Sequence, residues 1–222
     1  GVGLCIGEKF FGWHPNSQQI IYWDGEKVWL RDINSDKPTL AADPQTSANL
    51  PYPPLVDSVA FSPDGKQMIV SYTQSGQGGE FWLVNADGSE PRMLLKENYR
   101  FALAAWSPDG KSVAFVANGV EVMNADGQNR RKLGNNFIGG FPLSWSPDSK
   151  YIAFTAQEEL PDKSLSGTEQ ALFQGHAIHI IDVLSGEDRR LLSDKAGGEI
   201  GPTWSPDGTR VMFLSNRIGT SE

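Results

Sequence analysis

An all-β fold, a β-propeller of about five four-stranded antiparallel blades, is predicted by three observations. One turn recurs five times: Trp13-His14-Pro15-Asn16-Ser17, Phe61-Ser62-Pro63-Asp64-Gly65, Trp106-Ser107-Pro108-Asp109-Gly110, Trp145-Ser146-Pro147-Asp148-Ser149 and Trp204-Ser205-Pro206-Asp207-Gly208. From Pro15 to Pro63, Pro108, Pro147 and Pro206 the steps are 48, 45, 39 and 59 residues. A period of about 40–50 residues with several short strands per unit is that of propeller blades. Finally, no window shows a helical period, whereas short apolar runs alternate with Asp-Gly and Asn-Gly hairpin signals.

The turn's residue types follow from its geometry. Proline presets φ for the second position, Asp or Asn bonds the nearby backbone, and glycine accepts a positive φ. The aromatic before each turn ends an inner strand and wedges between units. The chain reads as one domain, residues 1–222, with repeats near 8–55, 56–100, 101–138, 139–196 and 197–222.

Within a unit the strands are named a to d from the axis outward. Unit one has Lys9 to Trp13, Gln19 to Trp23, Lys27 to Asp32 and a weak strand at Pro38 to Ala42, with the Asp24-Gly25 turn between b and c. A proline-bearing connection, Pro44 to Pro54, leads to unit two. There Ser58 to Phe61 and Gln67 to Tyr72 precede a glycine-rich loop, Thr73 to Gly79. Glu80 to Asn85, the Asp87-Gly88 turn and Arg92 to Lys96 complete it. Unit three, the shortest, has Leu103 to Trp106, Ser112 to Ala117, Val120 to Asn124 and Arg130 to Leu133, with turns at Asn118-Gly119 and Asp126-Gly127.

Unit four has Pro142 to Trp145 and Tyr151 to Thr155, then a long b–c insertion, Ala156 to Gly175, expected to hold at most a short helical turn. Ala177 to Val183 and Arg189 to Leu192 follow. Unit five offers Gly201 to Trp204 and Arg210 to Ser215. The runs Tyr151-Ile152-Ala153-Phe154 and Val211-Met212-Phe213-Leu214 are apolar on both faces. That pattern suits inner strands sandwiched between blades. The thin last unit is expected either to be closed by a strand from Gly1 to Gly7 or to continue in a longer chain, because an open edge invites pairing.

Composition narrows the function classes. The 222 residues carry a net charge of −8, with a pI near 4.9. Nucleic-acid binders cluster Lys and Arg, so nucleic acid is not an expected partner. The densest basic run, Arg130-Arg131-Lys132, reads as a solvated outer strand. A single cysteine, Cys5, allows no internal disulfide. No apolar stretch has the length of a membrane span.

The aromatic-Ser-Pro-Asp-Gly turn, followed by a strand such as Ser112-Val113-Ala114-Phe115 and then Val122-Met123-Asn124-Ala125-Asp126-Gly127, resembles the TolB-like propeller repeat, which is similar to the WD-repeat family. The resemblance runs from about Lys9 to Thr220. It implies a propeller fold and favours a periplasmic or extracellular bacterial setting. It implies no single activity. The family includes periplasmic interaction proteins, propellers that gate peptidases of the prolyl oligopeptidase type, sensor domains and some polysaccharide lyases. His14 and Asn16 depart from the usual Ser and Asp.

No catalytic signature is present. There is no Gly-x-Ser-x-Gly elbow, P-loop, dinucleotide fingerprint or His-Glu-x-x-His. The histidines are His14, His176 and His179. His176 and His179 lie three apart on a strand and so face opposite ways, which makes a poor metal pair. Asn85-Ala86-Asp87-Gly88 and Asn124-Ala125-Asp126-Gly127 lack the later acidic ligand of a calcium loop and read as hairpin turns. Neither a metal nor another cofactor is expected. The turn aromatics read as inter-blade core rather than as a sugar-stacking ring.

The short a–b and c–d turns share one face, expected to be uniform, while the irregular b–c and d–a connections share the other. Irregular loops on a rigid scaffold are where binding sits. Candidate binding residues there are Tyr52, Tyr99, Arg100, Phe137, Phe141, Glu158, Glu159, Phe173 and His176. The expected function is a non-catalytic scaffold binding a protein or peptide through that loop face or the channel mouth. The alternatives are a substrate-gating domain of a larger enzyme, such as a peptidase of the prolyl oligopeptidase type, or a glycan-binding or lyase-type propeller, with a glycan or small molecule as ligand.

Overall fold

The computed structural model describes residues 11–43, 55–74, 78–97, 103–117, 119–134, 141–158, 175–192 and 198–216. These residues form strands and turns, with no helix among them, and none therefore holds a helix long and apolar enough to cross a membrane. Blade one is β1 (Phe11–Trp13), β2 (Gln19–Trp23), β3 (Val28–Asp32) and β4 (Thr39–Ala42). Blade two is β5 (Leu55–Phe61), β6 (Gln67–Gln74), β7 (Gly78–Asn85) and β8 (Arg92–Glu97). Blade three is β9 (Ala104–Trp106), β10 (Ser112–Val116), β11 (Val120–Asn124) and β12 (Arg131–Gly134). Blade four is β13 (Ser144–Trp145), β14 (Tyr151–Gln157), β15 (His176–Asp182) and β16 (Asp188–Arg190), and blade five shows β17 (Glu199–Trp204) and β18 (Val211–Ser215).

Each sheet is an antiparallel meander in sequence order, four strands in the first four blades and two in the fifth. The inner strands β5, β9, β13 and β17 contact one another in succession, so they line a common axis. The predicted architecture is therefore present.

Three expectations on local structure are corrected. The loop placed at Thr73 to Gly79 is mostly strand, because Thr73 pairs with Gly79 and Gln74 with Gly78; glycine here extends a hairpin instead of breaking it. The insertion in blade four begins later than Ala156, since β14 runs to Gln157. Residues 159–174 of it and the proposed closing strand at Gly1 to Gly7 lie outside the described residues.

The third correction concerns burial. Ile152, Ala153 and Phe154 are fully buried, as a sandwiched strand requires, but Met212 is 73% and Leu214 53% exposed. Likewise Trp106 and Trp145 are 8% exposed and Trp13 is 63% exposed. The reason is positional: no described sheet packs on the outer side of blade five or on the near side of blade one.

The recurrent turn is a closed hydrogen-bond unit. Ser62, Ser107, Ser146 and Ser205 donate Oγ–H to the Oδ1 of Asp64, Asp109, Asp148 and Asp207 at 2.6–2.7 Å. Each serine oxygen accepts a backbone N–H five residues on, from Gln67, Ser112, Tyr151 and Arg210, at 2.9–3.0 Å. The chain thus leaves the inner strand and enters the next with its polar groups satisfied.

The turn face is less uniform than expected, and its turns touch. His14 Nε2 lies 2.8 Å from the Gly65 carbonyl oxygen, which joins blades one and two. Gly110 lies against Pro63, and Gly208 against Pro147. Between blades three and four, the Asp109 N–H donates to Ser149 Oγ at 3.1 Å. Ser149 takes glycine's place in its turn at φ 61°. All four boundaries between the five blades are spanned by a contact between turns.

Candidate functional site

The loop face of blade four collects the described candidate residues. Tyr52, Tyr99, Arg100, Phe137, Glu159 and Phe173 lie outside the described residues. Phe141, Glu158 and His176 come together. Gln157 pairs with His176 at the end of the β14–β15 hairpin, and the Glu158 N–H donates to the Gly175 carbonyl at 2.6 Å. Phe141 packs edge-on to the His176 ring at 5.8 Å. Phe141 is buried, because a bulky apolar ring leading into strand β13 finds cover on the hairpin.

Glu158 is the hub of a larger polar cluster. Its Oε1 lies 3.1 Å from His179 Nε2, and its Oε2 accepts from Arg190 Nη1 at 2.8 Å. His179 Nδ1 lies 2.8 Å from Asp188 Oδ1, so both imidazole nitrogens meet carboxylates. Arg190 Nη2 lies 3.8 Å from Glu199 Oε2, and the buried Arg190 Nε has no hydrogen-bond partner. Glu199 is fully buried at the start of β17, so the cluster crosses from blade four into blade five.

Burial pushes the His179 imidazole down, but its hydrogen bonds to Asp188 and Glu158 outweigh this and lift it above the ordinary histidine value. Three carboxylates face one guanidinium and one imidazole, which leaves the cluster electronegative when His179 is neutral. It suits a ligand rich in hydrogen-bond donors or carrying a cation.

Other blades show what that register usually holds. The residues equivalent to His179 are Trp29, Trp82 and Glu121, opposite Tyr22, Val70 and Phe115. Trp29 donates to Asp24, Trp82 donates to Glu80, and Glu121 accepts from Arg130. Trp29 and Trp82 are anchored within their own blades, whereas Glu121 reaches back through Arg130 to Glu97 of blade two at 2.5 Å. His179 connects the other way, through Glu158 and Arg190, to the following blade.

The backbone at this boundary also departs from the repeat. Trp106 and Trp145 donate indole Nε1–H to the carbonyls of Ala60 and Ala105 in the preceding blade, both at 3.0 Å. Trp204 does not follow: its Nε1 is buried without a partner, and its backbone N–H donates to Ser144 Oγ at 3.0 Å. Strand β17 carries a register shift between Ile200 and Thr203, where Gly201 has φ 65° and Pro202 lacks an N–H. Bulges of this kind re-aim side chains and gather beside functional sites.

His176 and His179 serve different partners, and no metal-holding group of three or more His, Cys, Asp or Glu exists among the described residues. His14 is structural, set edge-on to Phe61 at 4.7 Å. A cleft of about 260 Å³ opens beside β4, between blades one and two, and shares no residue with the cluster. Sequence reasoning missed His179, Asp188, Arg190 and Glu199 as site residues. The available signal was Gly201-Pro202, an unusual pair inside a strand.

No protein-family model matches the chain, and no curated protein matches it in sequence. Solved structures do match. A putative TolB from Agrobacterium tumefaciens superposes with a TM-score of 0.65 at 21% identity, over 94% of this chain and 70% of that one. The fold is that of a TolB-like β-propeller. This TolB-like propeller is also similar to an oligogalacturonate lyase in complex with manganese, with a TM-score of 0.64 at 16% identity, over 90% of this chain and 56% of that one. A nidogen/laminin complex structure matches with a TM-score of 0.62 at 14% identity, over 91% and 70%. Identities this low establish the shared scaffold, and the scaffold hosts unrelated activities.

Proposed function

We propose that the chain is a non-catalytic propeller scaffold that binds a protein or peptide partner through its b–c and d–a loop face, centred on the boundary of blades four and five. The observation that carries this reading is the convergence of Glu158, His179, Arg190 and Glu199 beside Phe141 and His176. A half-buried histidine, backed by a buried aromatic ring, next to an electronegative cluster gives a partner rigid polar anchors on a preformed surface. Catalysis is disfavoured by the same geometry. Both His179 nitrogens are committed to carboxylates, and Arg190 holds Glu158 in an ion pair. A general base needs a free lone pair within reach of a proton. The nidogen/laminin match supports the reading in kind, since a propeller of this shape occurs in a protein–protein complex.

The test is a selection of phage-displayed random peptides on the immobilised chain, run in parallel on a Glu158→Gln/His176→Ala variant. Enrichment of Lys- and Arg-bearing peptides that the variant binds at least about tenfold more weakly is expected. No enrichment, or peptides that bind both proteins equally, overturns the proposal.

A further inference from the structure

The outer halves of blades one to three share one register. The pairs β3–β4, β7–β8 and β11–β12 each carry a register shift at the same place. Ala41 is therefore equivalent to Leu94 and Leu133, and Ala42 to Leu95 and Gly134. The turns Asp87-Gly88 and Asp126-Gly127 align likewise, so Pro91 is equivalent to Arg130. Trp82, opposite Val70, is equivalent to Glu121, opposite Phe115.

At the boundary of blades two and three the chain fills this place itself. A Cβ added at Gly127 would stand 3.0 Å from the Leu94 side chain. Arg130 sets its guanidinium over the Phe115 ring, 5.5 Å from the centroid. Its Nε donates to Glu121 at 2.6 Å and its Nη1 to Glu97 of blade two at 2.5 Å. At the boundary of blades one and two, alanines stand for the leucines and a proline for the arginine. A Cβ added at Gly88 meets only backbone there, the Ala41 carbonyl oxygen at 2.9 Å being nearest. The cleft of about 260 Å³ opens at this place, and Ala41, Ala42 and Pro91 line it with Asp43, Tyr72, Trp82 and Asp87.

No Lys, Arg or His is among its lining residues. The Trp82 indole N–H is committed to Glu80 at 2.9 Å. Asp43 is held by Lys27 at 2.9 Å. Asp87 is fixed by the Ser89 N–H and hydroxyl, at 2.9 and 2.6 Å, and pairs with no cation among the described residues. Tyr72 is 5% exposed, yet its hydroxyl makes no hydrogen bond among the described residues. Buried hydroxyls ordinarily have a partner. The walls thus offer aromatic rings, carboxylates and an unpartnered hydroxyl, which is the set that holds a planar cation. A sugar would need more donors than one hydroxyl supplies.

We propose that this cleft binds a small free guanidinium compound with an apolar stem, in the place that Arg130 takes one boundary further on. Trp82 and Tyr72 then stand for the Phe115 ring, and Asp87 and Asp43 for Glu121 and Glu97. The stem lies on Ala41, Ala42 and Pro91. The volume falls just below the roughly 300–1,000 Å³ of sites for drug-sized ligands, so it suits a smaller molecule. The site is independent of the cluster at blades four and five.

The test is calorimetric titration with benzylguanidinium and with benzylurea, its neutral isostere. Saturable binding of the cation is expected, with a Kd of about 1 mM or tighter and at least about tenfold stronger than the urea. Pro91→Arg should abolish it by supplying the cation from within the chain, whereas Pro91→Gln should leave it intact. Pro91 is exposed, so both variants should melt as the parent does. Asp87→Asn should weaken binding at least about threefold. A capped Gly-Arg-Gly peptide, titrated in parallel, separates a free ligand from an arginine side chain. Equal binding of the two benzyl compounds, binding untouched by Pro91→Arg, or no saturation below about 10 mM overturns the proposal. So does tighter binding of the peptide than of benzylguanidinium, which would assign the cleft to a partner's side chain.

Discussion

Trp145 and Ala105 are tied across the boundary of blades three and four, the indole Nε1–H donating to the carbonyl oxygen at 3.0 Å. One blade further on, the Trp204 nitrogen is buried without an acceptor. Replacing each Trp by Phe removes the same ring atoms and isolates this difference. Trp145→Phe removes a hydrogen bond that Trp204→Phe does not, and should cost about 0.5–1.5 kcal/mol more than Trp204→Phe. Urea denaturation of the two variants checks it, and equal losses would show that the hydrogen bond carries no net stability.

Acid should weaken the turn face in a defined window. Hydrogen bonds from Ser62, Ser107, Ser146 and Ser205 hold Asp64, Asp109, Asp148 and Asp207 below the usual carboxylate value, and Asp207 falls to about 2. A lowered folded value means stability that is present above the unfolded value of 3.8 and lost as the pH falls through the folded one. The thermal midpoint should therefore drop between about pH 4 and about pH 2. The quadruple Asp→Asn variant should show a shallower drop. Parallel curves would mean that other carboxylates control acid unfolding.

His179 has the opposite sign. Burial lowers its affinity for a proton, Asp188 and Glu158 raise it by more, and the net shift is upward from 6.5. That contribution is complete below the unfolded value and is lost as the pH rises through the raised folded value. The midpoint of the wild-type chain should fall as the pH climbs from 6.5. His179→Gln should remove this slope, and Asp188→Asn should reduce it. An unchanged slope in His179→Gln would exclude His179 as its source.

Gly119 should be among the least replaceable residues. It has φ 127°, and an added Cβ would stand 2.0 Å from the Gly134 carbonyl oxygen. Gly25 has φ 105° with nothing within 4 Å of the same position. Gly25→Ala then carries backbone strain alone, about 1–2 kcal/mol, while Gly119→Ala adds a backbone clash and should exceed about 3 kcal/mol. Chemical denaturation of the pair separates the two terms.

The propeller was legible in the sequence because its determinants are local and repeated. Ser, Pro, Asp and Gly each satisfy a need within five residues, and the strands between them follow. The cluster at blades four and five was not legible, because its members meet only after folding. Glu158 reaches Arg190 across 32 residues, and Glu199 comes from the next blade. Loop position alone suggested Phe141, Glu158 and His176, and gave no sign of how deeply Phe141 is buried. Met212 and Trp13 show the converse limit. An apolar pattern says what a side chain is suited to bury against, and only the assembled sheets show whether anything is there.

The chain of turn contacts has a mechanical meaning. His14 with Gly65, Pro63 with Gly110, Asp109 with Ser149 and Pro147 with Gly208 all lie at one end of the ring. They act as a hoop. Blades bound there and parted at the opposite end fan open like pages held at the spine.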